Sequence, residues 1–425
     1  MLGIVKAEFV AWAKAYDGPR FHAVLCDPPY GLKFMGKDWD RVSAKEWGDA
    51  MMPLLYPGAI VLMFGGTRTW HKLATGMEEA GFEIWDTLMW LHGQGFPKAQ
   101  DIGKLIDKSL GLERTKVIGT KPGHKDFAGR KNLSSVQSLH TFGGGGFSRP
   151  WMNDPDKVEN YHLEKAPASE SGASWSGHKT AALKPSWEPI LCFRAPRQGK
   201  NYADLAMEYG SGALNMDGGR IGVLDGDRTK YGRDRELPHA NTTVSLGKFS
   251  KVTPYSRPNA GRYPANLVLD EESAELLDEQ AGDKGGPSRF FYCAKASRSE
   301  RENGLEGFDG EQRDLSRRPD QKAMNDGEGN PYNRGVVKVR NNHPTVKPIV
   351  LTKWLATLLL PPDSVKPRRL LVPFAGSGSE MIGALQAGWD EVIGIEQSEE
   401  YINIGKARLS NQVSHGQQCT QPLDF

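Results

Sequence analysis

Short unbroken apolar runs alternate with helically spaced stretches near both ends of the chain, whereas the middle keeps no clear period. Phe21 to Cys26 is an apolar run of strand length, stopped by Asp27-Pro28-Pro29-Tyr30, where two successive prolines end any ladder. Ala59 to Phe64, closed by Gly65 and Gly66, predicts a second buried strand, and helical spacing over about 69–80 leads to a third from Phe82 to Trp90. After Val336 the pattern returns. An amphipathic helix is predicted over Ile349 to Leu360, ended by Pro361 and Pro362. A strand over Arg369 to Val372, a turn of small residues and a helix through Ala387 follow. Then come a strand over Glu391 to Ile395 and a helix from about Glu399 to Leu409. Such alternation is the grammar of an α/β fold around a mostly parallel sheet.

From about 101 to 335 the chain is rich in glycine and polar turns, as at Gly143 to Gly146 and Ser169 to Gly177. Short apolar pieces at Ile190 to Phe193 and Ala265 to Leu269 predict strands within it, and 307–335 reads as a loop. The expected organisation is therefore a discontinuous α/β domain with one half at 1–100 and the other at 336–410, a large insertion at 101–335 and a tail at 411–425. A length of 425 residues agrees with one domain carrying such an insertion or with two domains. The formal charge is only +2, so any nucleic-acid surface must come from local patches. Residues 101–200 hold an excess of basic over acidic residues alongside Trp151, Trp175 and Trp187, which suits a nucleic-acid face or, equally, a solvated loop surface with core tryptophans. No apolar run has the length of a membrane span, and Lys6 and Glu8 interrupt the start of the chain, so neither a membrane nor a secreted protein is expected. Four scattered cysteines without a C-x-x-C pair fit a reducing cytoplasm, and the ten histidines show no metal-binding spacing.

In open α/β sheets ligands lie beyond the carboxyl ends of the parallel strands, so polar residues at those ends carry the candidate chemistry. At Gly376-Ser377-Gly378 a strand turns into a helix through small residues, which lets backbone N–H groups approach a ligand. Glu396, twenty residues on, ends the next strand where a carboxylate can accept both hydroxyls of a ribose. The spacing Gly376-x-Gly378-x-x-x-x-Gly383 departs from the dinucleotide pattern and is ordinary for S-adenosylmethionine, which has no pyrophosphate; a plain tight turn also fits it. At the other end, Asp27 and the carbonyl of Pro28 can converge on one point, with Pro29 holding the backbone and Tyr30 supplying an aromatic face. That arrangement suits the exocyclic amine of a planar base, though a strand cap with a rigid turn is the plainer alternative.

With these motifs in hand, the chain resembles the β-class DNA amino-methyltransferases, which modify adenine N6 or cytosine N4. Asp27 to Tyr30 matches the catalytic D-P-P-Y motif, His343 to Pro348 resembles the H-P-T-x-K-P segment, and Phe374 to Gly378 matches F-x-G-S-G, in family order. Gly31 to Asp40, Phe64 to Thr69, Gly95 to Lys98, Ser211 to Asn215 and Phe290 to Lys295 are also similar to phage- and prophage-type members.

The resemblance implies a Rossmann-like methyltransferase fold with permuted motif order, S-adenosylmethionine as cofactor and double-stranded DNA as substrate. It makes 1–100 the catalytic half, 336–410 the cofactor-binding half and 101–335 the inserted target-recognition region, and it places Asp27, Pro28, Pro29 and Tyr30 in catalysis, and Phe374, Gly376, Ser377, Gly378, Glu396, Thr345 and Lys347 at the cofactor. D-P-P-Y leans toward adenine N6, with cytosine N4 as the alternative. Other rivals are a decayed DNA-binding scaffold, or the same pocket turned on RNA or a protein amide. A homodimer and a separate restriction endonuclease are the partners the family suggests.

One position departs from the pattern: the family strand usually ends Asp-Pro-Phe, whereas here it reads Val372-Pro373-Phe374. A carboxylate that helps hold the methionine amino group is thus missing, with Glu380 or Asp27 left to replace it. Asp38 and Asp40 are read as ordering the loop after the catalytic motif, and His343 as positioning its segment rather than acting as a base.

Overall fold

The computed structural model describes residues 2–31, 42–93, 99–120, 163–222, 261–281, 286–294, 298–308, 311–313, 337–343 and 345–414. Asp38, Asp40, Gly95 to Lys98, Gly143 to Gly146, Trp151, most of 307–335 and the last eleven residues lie outside them. Nine strands form one sheet: β1 (Leu2–Lys6), β2 (Phe21–Cys26), β3 (Leu55–Phe64), β4 (Glu83–Leu91), β5 (Trp187–Arg194), β6 (Leu267–Asp270), β7 (Tyr292–Ala294), β8 (Arg369–Pro373) and β9 (Glu391–Glu396). Their order across the sheet is β1-β9-β8-β2-β3-β5-β4-β6-β7. All neighbours are parallel except around β5, which runs antiparallel to both β3 and β4.

Every residue of β2 and β8 is buried, as expected of strands covered on both faces. Alternate side chains serve two cores. Ala23, Leu25, Leu370 and Val372 join the helices Ile349–Leu359 and Ser379–Ala387 on one face. Val24, Cys26 and Leu371 join Phe9–Ala15, Ala44–Met51 and Trp70–Glu79 on the other. Each fully buried leucine of these layers contributes about 1.5–3 kcal/mol. Three differences from the sequence expectation follow from packing. The helix Ile349–Leu359 buries eight of its eleven residues, so it is a core helix and not an amphipathic one. The last helix continues from Glu399 to Ser414, beyond the boundary expected at 410. And β5, β6 and β7 come from the stretch 101–335, so that stretch helps to build the central sheet. Within it, Trp175 is about half exposed and faces His178, while Trp187 opens β5. No helix among the described residues is long and apolar enough to cross a membrane.

The sheet order places the site. β8 lies between β9 and β2, so the carboxyl ends of strands more than 300 residues apart in sequence open side by side.

Candidate active site

Asp27 leaves the end of β2 with its side chain 10% exposed. Its Oδ2 accepts from Lys347 Nζ at 2.7 Å, and its Oδ1 accepts from the Tyr30 hydroxyl at 2.7 Å. Lys347, 5% exposed, also donates to the Tyr30 hydroxyl at 3.2 Å and lies 3.4 Å from Glu188 Oε2. Tyr30 OH is 3.2 Å from the same Glu188 oxygen. The Lys347 ammonium stands 4.8 Å from the Phe64 ring centroid and 5.4 Å from that of Tyr30, a cation–π setting. Burial opposes its charge, but the carboxylates of Asp27 and Glu188 hold its pKa above the usual lysine range. Burial also pushes the Asp27 carboxyl up, with Lys347 pulling it back and Glu188 adding to the rise. No donor among the described residues reaches the Pro28 carbonyl, and each Asp27 oxygen, with two lone pairs, can accept once more. Gly66 packs under Tyr30, where a Cβ would come within 3.2 Å of the ring.

The second half of the site is the turn after β8. Phe374, Gly376 and Gly378 all have positive φ (58°, 52° and 81°), a sharp reversal that leads into the helix Ser379–Ala387. A Cβ on Gly376 would lie 2.7 Å from His343 Nε2, so only glycine fits there. Glu396 closes the turn from β9: its Oε2 accepts from the Gly376 N–H at 2.9 Å and its Oε1 from the Ser398 N–H at 2.7 Å. Burial raises its pKa while these backbone bonds counter the rise. Ser377 is clamped by Asn341 Nδ2 at 3.2 Å and by Arg408 Nη1, which donates to its carbonyl at 2.6 Å and its hydroxyl at 3.1 Å. Arg301 donates to the carbonyls of Asn341 and His343, tying that segment down. The His343 ring meets Tyr401 edge-on at 4.6 Å, and its Nδ1 lies 3.0 Å from the Thr345 carbonyl. Burial lowers its pKa to about 4, which keeps it neutral beside the turn.

The structure therefore gathers Asp27, Pro28, Tyr30 and Lys347 at one strand end, and Gly376, Ser377, Gly378 and Glu396 at the neighbouring one. Lys347, expected at the cofactor, spends its hydrogen bonds on the catalytic motif. Thr345 is exposed, and its carbonyl lies against His343 Nδ1. The Phe374 ring packs against Phe9 and Trp47, 5.5 and 5.0 Å away, so it serves the turn through its backbone. Pro29 is half-buried between Pro28 and Tyr30. Val372 is wholly buried in the core. Glu188, Asn341 and Arg408 were not singled out from sequence. Glu188 had one available signal, a charge opening an apolar strand; because β5 is antiparallel, its leading end faces the carboxyl ends of its neighbours. A cavity of about 1150 Å³ lies against the helices Phe9–Ala15 and Ala44–Met51, and none of the site residues lines it. Among the described residues no cluster of three or more metal-ligating side chains occurs.

A family model described as DNA methylase matches residues 21–407, and the chain belongs to that family. A protein of Escherichia coli (strain K12) described as a methylase, YubD, is 41% identical over 69 residues, which are 16% of this chain and 28% of that protein. Among solved structures, the M1.HpyAVI–SAM complex is 13% identical with TM-score 0.39, covering 96% of this chain and all of that one. The cytosine-N4-specific PvuII DNA methyltransferase is 10% identical with TM-score 0.42, covering 96% and 86%. S-adenosylmethionine is the family's methyl donor, and the residues present fit it. Glu396, at the strand end beside the glycine turn, keeps lone pairs for hydroxyl groups while accepting the Gly376 and Ser398 N–H bonds.

Proposed function

We propose that the protein transfers a methyl group from S-adenosylmethionine to the N6 amino nitrogen of adenine in double-stranded DNA. The observation that supports it most is the Asp27 carboxylate, buried at the end of β2 next to the glycine turn and beside the Pro28 carbonyl, which no donor among the described residues reaches. An exocyclic amine is a poor nucleophile because its lone pair is delocalised into the ring. Asp27 and the Pro28 carbonyl accept its two hydrogens, which draws the nitrogen toward sp³ geometry and frees the pair. Bound S-adenosylmethionine supplies a methyl group already activated by its sulfonium. After transfer the surplus proton leaves to Asp27 or water, and no strong base is needed. Lys347 positions and charges the acceptor: its ammonium keeps Asp27 ionised in a buried setting. Tyr30, fixed through its hydroxyl, walls the pocket into which the base is flipped. Glu396, Gly376, Ser377 and Gly378 hold the nucleoside end of the donor, and the parts of 101–335 outside the central sheet recognise the target through phosphate and base-edge contacts.

The test is to incubate the purified protein with isotope-labelled S-adenosylmethionine and unmethylated DNA, digest to nucleosides and identify the labelled one by mass spectrometry. Label on adenine N6 is expected. Label on cytosine N4 would replace the substrate and keep the mechanism, and no label beside an active control enzyme would refute both.

A further inference from the structure

Glu380 opens the helix after the glycine turn and is 4% exposed, yet no cation among the described residues lies within ion-pair distance of it. A buried carboxylate without a counter-charge is costly even where its own backbone N–H reaches it, and a second carboxylate nearby makes it more so. The charged groups around it are Asp27 from the end of β2, Lys347 from the segment before Ile349–Leu359, and Arg408 from the last helix, with the Cys26 thiol also in range. Both cations give their hydrogen bonds elsewhere, and the buried Arg408 Nε makes none among the described residues. Lys347 serves Asp27, Tyr30 and Glu188. Arg408 serves the Ser377 carbonyl and the hydroxyls of Ser377 and Ser379 through Nη1, and the Glu300 carbonyl through Nη2. Burial and the Asp27 charge accordingly raise the Glu380 carboxyl to about 7.

We propose that Glu380 is the counter-charge for the α-ammonium group of the methyl donor, replacing the strand-end carboxylate whose place Val372 occupies. This rests on reading the turn after β8 as the donor site. The ammonium is favoured over the sulfonium because it has N–H groups to give to a carboxylate, and the other two carboxylates beside the turn have roles already assigned: Asp27 pairs with Lys347 and faces the target amine, and Glu396 closes the turn toward the ribose hydroxyls. The cation that Glu380 lacks would thus arrive with the ligand.

Calorimetric binding by wild type and Glu380→Gln tests the assignment with three probes. These are S-adenosylmethionine, S-adenosylhomocysteine (amino group, no sulfonium) and 5′-methylthioadenosine (neither). Loss of one charge-assisted bond should weaken the first two by about 10- to 100-fold and leave the third unchanged. Loss for S-adenosylmethionine alone would move Glu380 to the sulfonium and overturn the proposal, as would loss for all three or for none. A second readout needs only the wild type. Binding an ammonium requires the ionised carboxylate, so S-adenosylhomocysteine should expel a proton near pH 6, seen as a binding enthalpy that follows the buffer's ionisation enthalpy. Absence of that release refutes the proposal even if the variant fails to fold. Failure of the wild type to bind any of the three would instead refute the donor-site reading itself.

Discussion

Replacing Lys347 with methionine tests whether its ammonium keeps Asp27 ionised. The pair is buried, with side chains 5% and 10% exposed and 2.7 Å apart, so water screens it little. Removing one partner of such a pair costs about 3–5 kcal/mol. Part of that loss is avoided if Asp27 takes up a proton. Loss of a charge-assisted hydrogen bond, about 1.5–3 kcal/mol, raises its pKa by about 1–2 units, on top of the rise that burial already causes. Because Asp27 must be ionised to accept the amine hydrogens, the acidic limb of kcat/KM should move to higher pH by about that amount. Lys347→Arg, which keeps the charge, should leave the limb near its wild-type position. Stability carries the same sign. With the folded pKa of Asp27 above its unfolded value, the folded chain binds more protons, so its stability falls as pH rises through that interval. Loss of Lys347 extends the interval upward, and the stability deficit of Lys347→Met measured by chemical denaturation should be larger at pH 7.5 than at pH 5. An acidic limb that stays put, or an equal deficit at both pH values, would refute the reasoning.

Asp27→Ala should abolish methyl transfer in the labelled-donor assay while cofactor affinity by calorimetry stays largely intact, since its proposed partner is the target amine; wild-type turnover would remove it from catalysis. Glu396→Ala should weaken S-adenosylhomocysteine binding by about 1–3 kcal/mol, because the Gly376 and Ser398 N–H groups lose their acceptor along with the hydroxyl contacts. Unchanged affinity would take Glu396 out of the site. Glu188→Gln removes a charge that raises the Asp27 pKa, so the acidic limb should shift to lower pH, opposite to Lys347→Met; a shift in the same direction as that variant would contradict the electrostatic assignment.

What could be read from sequence was what punctuation and unbroken burial mark. β2 begins and ends where its apolar run does, because prolines follow Asp27, and the turn after β8 announces itself through Gly376 and Gly378. β1 escaped because Leu2–Lys6 has only three apolar positions around Gly3, and it becomes a strand by pairing with β9. β6 was expected from the apolar piece Ala265 to Leu269, whereas β7, three residues long, is too short to carry a period and is specified by its neighbour in the sheet.

The harder part was which motif each polar side chain would serve, since that depends on strand order and strand direction. Lys347 lies in a segment that precedes the cofactor strand in sequence, and from sequence it belongs with the cofactor. Because β8 pairs with β2 as well as with β9, the segment passes the end of β2, and the ammonium meets Asp27 across 320 positions of chain. Glu188 reaches the same point by the opposite route, since only an antiparallel β5 brings a strand's first residues to the edge where its neighbours end. The two therefore act on Asp27 with opposite signs, one lowering and one raising its pKa. The protonation state of the acceptor is set by long-range pairings and not by the four-residue motif that identifies it.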